Sequence, residues 1–118
     1  MLQPSTAQAL AATLQDTKQS HDAMDRCVSN MATLLVKIDA AIKMHNTRMT
    51  ALVDQFKRAG QSQLLDATKH MQEAQMSFNL QYLQLQSQMQ HENRSYTAIS
   101  NIMKTKHDTV KNSISNVR

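Results

Sequence analysis

The chain of 118 residues has no tryptophan, one glycine, one proline, one cysteine, two tyrosines and two phenylalanines. Each scarcity excludes something. One glycine leaves no glycine-rich loop to cradle a phosphate. One cysteine, Cys27, rules out an internal disulfide. So few aromatics, with no dense basic cluster, argue against stacking on nucleic acid. No apolar run approaches the ~18 residues of a membrane span. The opening MLQPSTAQAL lacks the basic stretch and apolar core of a cleaved signal peptide. Helix breakers are almost missing, and methionine, leucine, alanine, isoleucine and valine supply most of the apolar surface. That composition suits long helices with a thin seam better than a compact ball.

What is present is a seven-residue rhythm. Leu10, Leu14, Thr17, His21, Met24, Val28, Met31, Leu35, Ile38, Ile42, His45, Met49, Leu52 and Phe56 follow one another at alternating steps of four and three, and eleven of these fourteen are apolar. A second stripe runs through Met71, Gln75, Phe78, Tyr82, Leu85, Met89, Glu92, Tyr96, Ile99, Met103, Lys106, Val110, Ser113 and Val117. Such a 3.5-residue period is the mark of helices wound on one another. The fold expected is all-α: one domain over residues 1–118, a long antiparallel two-helix hairpin with a coiled-coil seam. Helix one is expected over about 5–59, a turn at 60–62 and helix two over about 63–117. Pro4 precedes a cap at Ser5 backed by Gln8. Gly60 is expected as a left-handed helix terminator and Ser62 as the cap of the second helix. Glu92 counts back across the hairpin to Met24–Val28, which makes Arg26 its expected partner. At about 1.5 Å per residue, each arm measures roughly 80 Å.

The window Ala74–Gln90 (AQMSFNLQYLQLQSQMQ) carries no charge at all. Phe78, Tyr82, Leu85 and Met89 belong to the stripe. Met76, Leu80 and Leu83 gather on roughly the opposite side at 100° per residue. A hairpin covers only one of those faces, so the other is an expected interaction surface. Catalytic chemistry finds no footing. His21, His45, His70, His91 and His107 are scattered, and His91–Glu92 is not followed by the second histidine of a zinc motif. No catalytic, cofactor or metal site is expected, and the chain does not read as an enzyme. His21 and His45 interrupt the seam, where polar residues set register.

The tail adds a resemblance. Tyr96, Asn101, the lysines Lys104, Lys106 and Lys111, and the ending Ile114-Ser115-Asn116-Val117-Arg118 resemble the C-terminal helix of the needle and inner-rod subunits of bacterial type III secretion systems. Those are small helical hairpins that polymerise into tubes. The resemblance implies a homo-oligomeric structural subunit of a needle, rod or filament, exported or displayed at the bacterial surface without a cleaved signal, with other secretion-system proteins or a chaperone as partners. It implies that Asn116 and Arg118 face the lumen. Met76, Leu80, Leu83, Met103, Val110, Ile114 and Val117 are the expected contacts between subunits. One face of such a hairpin is expected to dock on a different face of the next. The alternative is a cytoplasmic hairpin chaperone or adaptor that covers a partner's amphipathic helix. A third option is a secreted dimeric hairpin of the kind exported by Gram-positive bacteria. No nucleic acid and no membrane span enter any of them.

Overall fold

In a computed structural model, which describes residues 4–116, the chain is an all-α helical hairpin. Helix α1 spans Pro4–Arg58, a short 3-10 turn spans Gln61–Gln63, and helix α2 spans Leu64–Asn116. Pro4 is itself helical, as suits a residue with fixed φ and no N–H in a first turn. Ser5 therefore lies inside α1 rather than at its cap. Lys57 and Arg58 occupy the last turn, where positive charge complements the helix dipole.

The turn departs from expectation. Gly60 has φ −74° and ψ 168°, an extended conformation open to any residue. No glycine has positive φ. The reversal comes instead from the 3-10 turn, in which Gln63 N–H donates to Gly60 C=O at 2.9 Å. Ala59 N–H closes the end of α1 on Phe56 C=O at 3.2 Å. Ser62 sits within that turn, and the turn has no side-chain cap. The expectations of a left-handed Gly60 and a Ser62 cap are thus both corrected.

The hydroxyl-rich composition is accommodated within the helices. Thr13, Thr50, Thr68, Thr97, Thr105, Thr109 and Ser113 each donate to the carbonyl four residues earlier, at 2.8–3.0 Å. This satisfies the hydroxyls without competing for partners elsewhere.

The chain divides into two compact units. The second, Ala32–Gln90, holds the turn and a core of Leu34, Ala41 and Leu85, with Ile38, Phe78 and Met89 against it. His45 stacks on Phe78 with ring centroids 4.2 Å apart and planes 10° from parallel. Ala67 and Ala74 are also buried there. The other unit joins the chain up to Met31 with the chain from His91 onward. Its seam is wetter. Lys106 Nζ donates to Asp16 Oδ2 at 3.0 Å, both half-exposed, and Thr17 Oγ1 lies 3.3 Å from His107 Nε2.

Candidate interaction surface

In the first unit, Asn30 Nδ2 donates to Glu92 Oε1 at 3.2 Å. Asp16 pairs with Lys106 there, so a step of fourteen along α1 matches the same step back along α2. The expected Glu92–Arg26 pair is not the one formed. Both pairs have their midpoint at Gln61, inside the expected turn, and counting from there sets Glu92 opposite Asn30, four residues along α1 from Arg26. Cys27 lies beside the same carboxylate. Burial pushes its thiol up, and a hydrogen bond to Glu92 and the negative charge of Glu92 push the same way, with Arg26 opposing. A thiol so placed is protonated and inert at neutral pH.

The seam residues decide what is left outside. Along α1, the positions Leu10, Thr17, Met24, Met31, Ile38, His45 and Leu52 are partly buried as the rhythm requires. The intervening positions shift by one residue. Thr13, Ser20, Cys27, Leu34 and Ala41 turn inward, whereas Leu14, His21, Val28, Leu35 and Ile42 are exposed. Leu14 is 71% and Leu35 60% exposed. Along α2 the expected stripe holds from Phe78 to Val110, and Ala74 replaces Gln75 inside.

Of the expected subunit contacts, Met76, Leu80 and Leu83 are 63%, 68% and 60% exposed. They lie on the side of α2 away from Ala74, Phe78 and Leu85. Between Ala74 and Gln90 nothing charged interrupts them. Met103 and Val110 are half-buried in the first unit's seam, and Ile114 is exposed. Val110 and Ile114, with Leu10 and Leu14, line an open apolar groove of about 610 Å³ within that unit. Asn116 is exposed at the end of α2; Val117 and Arg118 lie outside the described residues. The structure thus gathers Met76, Leu80 and Leu83 into one patch and places Ile114 in a second surface. The exposed Leu14, Val28, Leu35 and Ile42 are the surface residues that sequence reasoning assigned to the seam. The inward neighbours Thr13, Ser20, Cys27 and Ala41 are smaller or more polar, so apolar bulk along the sequence pointed to the wrong column.

Among the described residues, no group of three or more His, Cys, Asp or Glu side chains is placed to hold a metal ion. Among the same residues, no helix is long and apolar enough to cross a membrane. Comparison with models of known families, with curated proteins and with solved structures finds no match to this chain.

Proposed function

We propose that the chain is a non-enzymatic structural subunit that assembles with copies of itself. The observation that carries this reading is the patch of Met76, Leu80 and Leu83, each at least 60% exposed, in an uncharged window. Burying a large apolar side chain is worth about 1.5–3 kcal/mol, so a patch of three rewards any contact that covers it. The groove around Val110 and Ile114 supplies another contact surface. A subunit with two distinct self-contacts builds open polymers as well as closed pairs. The setting that fits the sequence Tyr96–Arg118 is a needle, rod or filament of a type III-like secretion apparatus.

The test is sedimentation over a concentration series, with negative-stain microscopy of the same samples. Species larger than the monomer, and polymers on the grid, are expected. The double substitution Leu80→Lys with Leu83→Lys abolishes them while circular dichroism keeps its helical signal. A wild-type chain that stays monomeric at every concentration overturns the proposal.

A further inference from the structure

The heptad rhythm of α2 fixes every column of that helix, not only the seam. Met71, Phe78, Leu85, Glu92, Ile99 and Lys106 recur every seven residues and are all at least partly buried. The column farthest from them runs on through Asn101, Asp108 and Ser115, and its stretch nearest the patch reads Asp66, Glu73, Leu80, Ser87, Arg94, all five exposed. That stretch is acidic at one end, apolar in the middle and basic at the other. Leu80 stands fourteen residues from both Asp66 and Arg94. Such a stretch is complementary to itself when reversed.

We infer that the apolar patch of α2 is covered by the α2 of a second copy, antiparallel, across a two-fold axis close to Leu80. This rests on the self-assembly reading above and specifies the contact. Around the axis Leu80 meets its own copy, and Met76 lies against Leu83 of the other chain. Glu73 then faces the neutral Ser87. Asp66 comes opposite Arg94, twice, about 21 Å on either side of the axis. A parallel arrangement instead sets Asp66 on Asp66, Glu73 on Glu73 and Arg94 on Arg94, and like charges at such flanking positions disfavour it. Asp66 and Arg94 are free for this use. Among the described residues the ion pairs join Lys43 to Asp39, Arg58 to Asp54 and Lys106 to Asp16. The contact is isologous, which differs from the face-to-different-face docking expected of a simple polymer. Polymer growth then needs the second surface around Val110 and Ile114.

Charge reversal tests the orientation. By sedimentation equilibrium of the full chain, Asp66→Arg alone and Arg94→Asp alone each weaken self-association by about tenfold, and the two together restore it. Disulfide trapping tests the axis. In a Cys27→Ser background, oxidation of the Leu80→Cys variant gives a covalent dimer, whereas the Asp66→Cys variant gives none. Two results overturn the antiparallel contact: a dimer trapped through Asp66→Cys, or single reversals that leave association unchanged. If association survives those reversals but is lost in the Leu80→Lys, Leu83→Lys double variant, self-assembly through the patch stands and only the two-fold geometry fails. If the wild type does not associate at all, both readings fall.

Discussion

At the scale of single residues, Gly60 and Cys27 carry the clearest consequences. Gly60 adopts an ordinary extended φ of −74°, and a Cβ built on it meets nothing within 4 Å. Its glycine freedom therefore only widens the unfolded ensemble. Gly60→Ala is expected to stabilise the hairpin by about 0.4–1 kcal/mol, read as a higher midpoint in thermal unfolding. A left-handed glycine at that position would give the opposite sign. Cys27 is governed by its neighbours in the same way. Burial comes first among the causes that raise its thiol pKa, and the hydrogen bond and charge of Glu92 follow. The neutral thiol is therefore the form that folding favours. The stability this contributes is full below the pKa of an unfolded thiol and is lost as pH rises through the higher folded value. Iodoacetamide labelling followed by mass spectrometry at pH 8 should find Cys27 slow in the native chain. Glu92→Gln removes the negative charge and should speed the reaction.

At the scale of the helix, the exchange of large and small side chains explains both the success and the failure of reading the seam. Near the turn, α2 contributes the small Ala67 and Ala74, and α1 contributes the partly buried Met49 and Leu52. Farther along the same unit α1 sets the small Ala41 between the larger Ile38 and Leu34 on one side and His45 on the other, and α2 offers Phe78, Leu85 and Met89. Large against small is how facing surfaces fill space without voids. Hydrophobic periodicity finds the columns that both patterns share, so the two helices and the stripe from Phe78 to Val110 were legible. It also ranks Leu35 and Ile42 above Leu34 and Ala41 as a set, because it counts apolar bulk rather than fit. That put every second position of the α1 seam one residue off between Thr13 and Ala41. The same fit makes a prediction. Ala74 is 1% exposed, so Ala74→Leu overpacks the contact and should cost about 1–3 kcal/mol in chemical denaturation. Gln75→Leu, which the sequence placed in the seam, adds bulk at an exposed position and should change stability by less than about 0.5 kcal/mol.

At the scale of the molecule, the proposed self-contact through the outward patch would tie stability to concentration. The core of the second unit contains few large side chains, namely Leu34 and Leu85 with Ile38, Phe78 and Met89 beside them. A two-helix unit of this kind has little surplus stability of its own. A contact that buries Met76, Leu80 and Leu83 in a second copy adds free energy to the folded state alone. By mass action, that contribution grows with the logarithm of protein concentration. The unfolding midpoint of the wild-type chain should therefore rise as the sample is concentrated. The Leu80→Lys, Leu83→Lys variant should unfold at one midpoint across the series, close to that of the most dilute wild type. A seam substitution behaves differently. Leu85→Ala removes core packing from each subunit, at a cost of about 2–5 kcal/mol. It lowers the midpoint at every concentration but leaves the concentration dependence in place. Calorimetric scans of the three proteins over a hundredfold range of concentration separate the two kinds of surface. A wild-type midpoint that does not move with concentration would mean that the patch stays open to water in the native state.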